Sequence, residues 1–534
     1  MTGPAASLQY TLNAVAASRN ATISLLADGR TLRATYAGRQ SELALPIDGT
    51  DLDRLAHMPS ALPSRARGDV REKTLYNILQ DMSDNSGNRV NDEILREKLA
   101  DLLQVDQGHR QVLAAVTERQ YWIHPTSASN SPRSFLAPFH SELPTAFDYA
   151  GRYKSFRGNL LLFLCWDGNG FDTALADEIA KFLGSEDGLS PLDRVFLNAA
   201  RTAASSQELA PVSSRRLLER YGEALRNDLA PGAFDQESLD RIRRDLLAVV
   251  KLQLPRHDKA HALIAVFSLH IALYYYRLAF RLGTGLDCAA AVLDGKELPE
   301  RPRFEGRILF RVGSAGDRPV RASDACAQAW RHLDEHHLLA LPANMVSANL
   351  VHQVAQVSGS DCGPVPDPYA CAQALAGDPV GRVLADLLCA AAAVMLRRDS
   401  TEVVPSDPGI GVYALREAVL ASFRSRGNAL KQRGRDIVNT FVGGFSGELK
   451  RNRGRVRFFE LDEQVIFLLV KLLLDNSGRN QLAFRQEFLP ALREYGLAPQ
   501  DAAEEELLSQ ALGRLGLLER YSDAGEALYV RHIL

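Results

Sequence analysis

One group of residues in the sequence is typical of metal-dependent nuclease chemistry. Glu448 and Lys450 are separated by a single residue, and Asp436 precedes Glu448 by 12 positions. In such sites the carboxylates hold Mg²⁺, and the lysine helps to position the attacking water. Glycines crowd the stretch just before Glu448, where the site needs a strand. We therefore keep a nuclease that uses Asp436, Glu448 and Lys450 only as an alternative function.

Two histidine pairs have the spacing of metal ligands on a helix. His257 and His261 are one helical turn apart, as are His332 and His336. The same spacing holds zinc in H-E-x-x-H enzymes, but Asp258 stands where those enzymes carry the general-base glutamate. The sequence also contains no G-x-x-x-x-G-K-[S/T] phosphate loop. We therefore predict no catalytic residue, no bound metal and no cofactor.

The composition is that of an ordinary globular protein. The 534 residues include 62 basic and 65 acidic side chains, for a net charge of -3, and 46% of the chain is apolar. Six cysteines are scattered without a C-x-x-C pair, so neither a zinc ribbon nor a thioredoxin-type motif is indicated. The first 20 residues lack the pattern of a signal peptide. These features predict a cytoplasmic protein with reduced thiols.

The clearest physical signal is a basic segment between Arg424 and Arg457. It contains ten basic residues and only two acidic ones, although the whole chain is slightly acidic. Such a segment can contact successive DNA phosphates and release their counterions. A solvated loop and a site for an acidic protein partner remain the alternatives. The predicted DNA contacts are Lys431, Arg433, Arg435, Lys450, Arg451, Arg453, Arg455 and Arg457.

The arginines at the end of this segment alternate with other residues. If residues 451–457 form one extended strand, then all four of their arginines lie on one side. Further along, the predicted third helix of the C-terminal region begins with Glu504, Glu505 and Glu506, which phosphates would repel. We therefore expect that helix to pack on protein, and DNA to meet the basic segment instead.

The elements that must position these residues are mostly helices. Apolar residues three and four apart predict helices over residues 92–105 and 240–254, and the apolar residues 262–280 predict a buried core helix rather than a membrane span. Residues 21–45 predict a small β unit around an Asp28-Gly29 turn, and residues 160–166 predict a buried strand. The predicted regions are a β unit (1–48), a helical region (49–145), a helical domain with one strand (146–300), a helical domain (301–440) and a basic lead-in plus winged helix (441–534).

The last 75 residues predict the winged helix. Helices are expected at 461–474, 482–495 and 499–515, followed by two short strands at 517–521 and 527–532. Three helices and a hairpin in this order are typical of that domain. The fold class is therefore mainly α with small β elements.

This C-terminal region resembles one bacterial protein family. Phe445-Ser446-Gly447 with the basic segment, the helix after Phe458, and the ending from Leu517 to Val530 are similar to the G subunit of phosphorothioation-dependent restriction systems, the DndG or DptG type. Related subunits occur in other phage-defence operons, including methylation-associated ones. The resemblance covers the last 90 or so residues.

The resemblance implies a non-catalytic subunit of a restriction complex. In such complexes a HerA/FtsK-like ATPase supplies the motor, and other subunits supply sensing or damage. The expected partners are therefore that ATPase, other defence subunits and double-stranded DNA, with no membrane. The alternatives are the nuclease and a stand-alone DNA-binding regulator.

Overall fold

The computed structural model describes most of the chain and is mainly helical. It describes residues 4–45, 92–102, 109, 140, 160–203, 214–229, 235–313, 319–397, 409–425, 449–521 and 527–531. Sixteen α-helices and ten strands lie within these residues. The fold class predicted from the sequence, mainly α with small β elements, is confirmed.

The N-terminal unit contains a helix as well as the predicted strands. Helix α1 (Pro4–Ala17) precedes a meander of β1 (Thr22–Leu25), β2 (Thr31–Tyr36) and β3 (Arg39–Ala44). The predicted turn at Asp28-Gly29 is confirmed: Gly29 has a φ of 67°, and the Asp28 carboxylate accepts the backbone N–H groups of Arg30 and Thr31. The unit is therefore a helix packed on a small sheet.

A series of helices forms the centre of the molecule. They are α2 (Asp92–Leu102), α3 (Leu160–Leu164), α4 (Ala174–Gly184), α5 (Pro191–Ala203), α6 (Ser214–Leu229), α7 (Gln236–Lys251) and α8 (Arg256–Leu293). The strand predicted over residues 160–166 was wrong, because Leu160–Leu164 is a helix and only Trp166 makes a β-bridge, to Phe171. A short run of buried apolar residues has no period that separates strand from helix.

Helix α8 is the long core helix that residues 262–280 predicted. Both α8 and α12 (Pro379–Arg397) are long and apolar enough to span a membrane by composition alone. In the structure 89% of the most apolar window of α8 is buried against other parts of the protein, and 72% of that of α12. These two helices are therefore covered by protein.

Between them the chain forms β4 and a group of packed helices. Strand β4 (Ile308–Val312) confirms the strand predicted near residues 301–313. It is followed by α9 (Ala325–Arg331), a π-helix (His332–Leu338), α10 (Leu341–Val357), α11 (Pro368–Ala376), α12 and α13 (Gly411–Ser425).

The C-terminal region has winged-helix topology. It contains β5 (Lys450–Arg453), β6 (Val456–Leu461), α14 (Glu463–Ser477), β7 (Gln481–Ala483), a second π-helix (Phe484–Phe488), α15 (Leu489–Glu494), β8 (Leu497–Pro499), α16 (Ala502–Arg514), β9 (Leu518–Tyr521) and β10 (Ala527–Arg531). Strand β10 pairs antiparallel with both β7 and β9. The second helix predicted from the sequence is thus divided into a strand, a π-helix and a short α-helix.

A mixed sheet joins the winged helix to the rest of the molecule. Its order is β5-β6-β4-β8, with β4 parallel to both β6 and β8. Strands β6 and β8 therefore flank the winged helix's first two helices in sequence and meet on β4, about 150 residues earlier in the chain. The strands that carry the basic segment belong to this sheet.

Candidate nucleic-acid interface

The described part of the basic segment is a β-hairpin rather than one extended strand. Strands β5 and β6 pair antiparallel, with Arg453 opposite Val456, and Gly454 and Arg455 form the connecting turn. Gly454 has a φ of 60°, a backbone conformation that glycine adopts at little cost. We call residues 450–461 the arginine hairpin.

The prediction that four arginines share one side was wrong, because the chain turns back at Gly454. Residues opposite each other in an antiparallel pair lie on the same face, and Asn452 is opposite Arg457. Arg457 therefore lies on the face opposite that of Arg451 and Arg453. Its guanidinium stacks on the ring of Trp330, at 5.4 Å from the centroid.

Three of the arginines are exposed to solvent. Arg453, Arg455 and Arg457 lie at or next to the tip of the hairpin, whereas Arg451 is only partly exposed. The Arg451 guanidinium lies 3.4 Å from the Glu460 carboxylate and 3.2 Å from that of Asp462. The surface available to a polyanion is therefore the tip of the hairpin.

Lys450 does not reach this surface. Its ammonium lies 2.7 Å from the Asp334 carboxylate, and both side chains are 5% exposed. Tyr276 donates a second hydrogen bond to the same carboxylate, at 3.0 Å. Burial lowers the pKa of Lys450 and outweighs the opposing effect of Asp334. The predicted DNA contact at Lys450 is thus corrected: this amine holds the base of the hairpin to the π-helix.

The remaining predicted residues of the basic segment lie outside the described part of the chain. These are Lys431, Arg433 and Arg435, together with Asp436 and Glu448 of the nuclease alternative. Only Lys450 of that alternative is described, and its amine is bonded to Asp334.

The third helix of the winged helix packs on protein at its N-terminus. Glu504, in the first turn of α16, is completely buried and accepts a hydrogen bond from the backbone N–H of Val312, at 3.0 Å. The Arg311 guanidinium lies 3.4 Å from its other carboxylate oxygen. The glutamate in the first turn thus faces β4, whereas Glu506 is exposed.

A second basic feature was not found in the sequence. A groove of about 930 Å³ between α7 and the C-terminal end of α14 is lined by Arg243, Arg244, Lys251, Lys471 and Arg479, with the carboxylates of Asp172 and Asp475. Arg244 and Lys251 are seven residues apart on α7, so two helical turns bring them to the same side. That spacing was the signal available in the sequence, and the partner lysine lies on a helix about 220 residues later.

The structure treats the two histidine pairs differently. The imidazoles of His257 and His261 lie on one face of α8, with their Nε2 atoms 3.0 Å apart. His332 instead contacts His337, at 3.2 Å between Nε2 atoms, rather than His336. The predicted His332/His336 pairing was wrong because this segment is a π-helix, in which residues five apart are neighbours.

Comparisons with known proteins identify no relative. No protein-family model matches the chain, and no curated protein matches its sequence. The resemblance to restriction subunits therefore stays an expectation, and the functional argument rests on the geometry of the arginine hairpin and the groove.

Proposed function

We propose that this protein is a non-catalytic, DNA-contacting subunit of a bacterial anti-phage defence complex. The observation that carries the proposal is the exposed arginine tip of a hairpin that leads directly into a winged helix. A hairpin tip projects from its sheet, so its arginines can contact the backbone of a duplex without entering a groove. This mode of contact is independent of sequence and sensitive to salt.

The complex supplies the function that one basic surface lacks. We place the protein in the cytoplasm beside a HerA/FtsK-like ATPase, where it would link the ATP-driven translocase to DNA or to other subunits. The groove between α7 and α14 offers a second basic surface, and residues 463–475 of α14 separate it from the hairpin by roughly 18 Å. Two basic surfaces at opposite ends of α14 are consistent with contacts along a duplex.

The DNA contact is tested by reversing the charge of the hairpin tip. We expect Arg453→Glu with Arg455→Glu to weaken duplex affinity at least tenfold at physiological salt. The slope of log Kobs against log salt should become shallower by about 2, since each lost phosphate contact contributes about 0.9. Fluorescence anisotropy with a labelled duplex over a salt series measures both quantities.

The matched control carries the same change in charge elsewhere. Arg30→Glu with Arg194→Glu alters two exposed arginines, one in the N-terminal hairpin and one in the first turn of α5, where a negative charge favours the helix dipole. Its affinity and slope should equal those of the wild type. Equal slopes for all three proteins would exclude the hairpin as the DNA contact.

The complex is tested by a tagged pull-down from the native host. Co-purification of a HerA/FtsK-like ATPase in near-stoichiometric yield would support the assignment to a defence complex. Recovery of the chain alone, with duplex binding intact, would instead favour a stand-alone DNA-binding regulator. Mg²⁺-dependent cleavage by the purified chain that disappears in Glu448→Ala would overturn the non-catalytic role.

A further inference from the structure

Three potential metal ligands that are far apart in type and spacing from any common motif meet in the helical core. His352 lies near the end of α10, Cys362 in the loop that follows, and Cys371 in α11. All three side chains are buried, at 8%, 7% and 0% exposure. Their ligand atoms all lie within 4.8 Å of one another, and this is the only such group of three in the described part of the chain.

The distances between these atoms match those around a tetrahedral zinc ion. The Nδ1 atom of His352 lies 3.3 Å from the Cys362 sulfur and 3.7 Å from the Cys371 sulfur. With Zn–S near 2.3 Å and Zn–N near 2.0–2.1 Å, tetrahedral angles place a nitrogen and a sulfur about 3.5–3.6 Å apart. An ion therefore fits between the three atoms with small side-chain adjustments.

The local chemistry supports the same ligands. A hydrogen bond from Cys371 lowers the pKa of the Cys362 thiol, and burial lowers the pKa of His352. A thiolate and a neutral imidazole are the forms that bind metal. Two thiolates and one imidazole are soft donors, which favour Zn²⁺ over Mg²⁺ or Ca²⁺.

The ligands also come from segments that need to be held together. The loop between α10 and α11 carries Cys362, and its Ser358 carbonyl accepts a hydrogen bond from Arg39 of β3, at 3.0 Å. Arg39 contacts Asp378, just ahead of α12, as well. An ion bound by α10, this loop and α11 would fix the platform on which the N-terminal sheet rests.

We propose that His352, Cys362 and Cys371 form a structural Zn²⁺ site that joins α10 to α11. The three residues supply two sulfur ligands and one nitrogen ligand, and a water molecule completes the tetrahedron. The site is independent of the arginine hairpin, so it stands or falls separately from DNA binding.

Metal content tests the site directly. The full chain, purified without a histidine tag, should contain one zinc per molecule by mass spectrometry of the elements. With Co²⁺ in place of zinc, the spectrum should show thiolate-to-cobalt charge transfer and the strong visible bands of tetrahedral coordination. Cys362→Ser and Cys371→Ser should each lose the zinc and the charge-transfer band in proportion to the lost thiolate.

Cys288→Ser is the matched control, because Cys288 is equally buried and lies in the same apolar core as Cys362 and Cys371. It should keep one zinc per chain. If the ligand variants do not fold, the wild type still tests the site: a zinc chelator should lower its thermal midpoint, since an ion that binds only the folded state stabilises that state.

Three results would overturn the site. They are a metal-free wild type that takes up no Zn²⁺ or Co²⁺, full zinc content in the Cys362→Ser variant, and a disulfide between Cys362 and Cys371 in protein isolated under native conditions.

Discussion

At the scale of single residues, burial decides what a charged or titratable group can do. Lys450 has the sequence context of a DNA contact and of a nuclease lysine, yet its ammonium is buried against Asp334. Asp245 is a second case: burial would raise its pKa, but hydrogen bonds from His270 at 2.7 Å and Tyr495 at 2.6 Å lower it. Such groups hold helices together, because a buried charge without its partner costs several kcal/mol.

His337 gives the clearest prediction of pH dependence. Burial, reinforced by His332, lowers its pKa from 6.5 to about 4, so the folded protein keeps it neutral where the unfolded chain becomes protonated. Its contribution to stability is therefore complete above pH 6.5 and is lost as the pH falls toward 4. The loss should approach roughly 3 kcal/mol, at 1.36 kcal/mol per pKa unit.

Urea unfolding at several pH values between 7.5 and 4.5 measures this loss. His337→Gln should flatten the dependence, because glutamine does not titrate. His336→Gln, in the exposed neighbour, should leave the dependence of the wild type unchanged. If the two variants show the same slope, His337 is not the group responsible.

At the scale of elements, the third helix of the winged helix is fixed to the mixed sheet by its own first turn. Glu504 is buried against Arg311 and the backbone of β4, so the end of α16 that reads bases in many winged helices is covered here. Arg311 is itself buried. The arginine hairpin remains the more accessible element for DNA.

Removing one member of this buried pair should destabilise the protein strongly. Glu504→Ala leaves the Arg311 guanidinium and the Val312 N–H without this carboxylate, and we expect a loss of about 3–5 kcal/mol in the free energy of unfolding. Arg311→Met with Glu504→Leu should recover part of the loss, because no buried charge is then left alone. Denaturant unfolding of both variants measures the difference.

Glu506→Ala provides the control on the same helix. Glu506 is exposed, so its removal should change stability by no more than about 0.5 kcal/mol. Similar losses for the Glu504 and Glu506 variants would show that the contact between α16 and β4 contributes little.

At the scale of the whole molecule, two apolar cores share helix α8. One contains most of α8 with α7, α14 and the winged helix. The other contains the end of α8 with α10, α12, α13 and the N-terminal unit. The N-terminal unit is therefore part of a shared core, and Arg19 adds an ion pair to Asp386 at 2.6 Å.

Deleting residues 1–45 should expose the apolar surface of α12 that α1 and β2 cover. We expect a lower thermal midpoint, increased binding of a hydrophobic dye and concentration-dependent aggregation. Arg33→Ala removes only a surface ion pair with Glu42 and should behave as the wild type. A truncated chain that stays monodisperse with an unchanged midpoint would contradict the shared core.

The sequence by itself determined the local elements. Apolar spacing located α7, α8 and α12, Asp28-Gly29 located a turn, and the order of the last 75 residues indicated the winged helix. Each of these signals lies within one element or its immediate neighbours, so residue type and period are sufficient.

Only the tertiary structure decided which side chains meet and which are exposed. Lys450 lies 116 residues from Asp334, and Glu504 lies 192 residues from Val312. The π-helix replaced the expected His332/His336 pair, and the fold of α10 onto α11 brought His352 beside two cysteines that no close spacing marks. These contacts depend on how distant elements pack, and no residue period within one element contains that information.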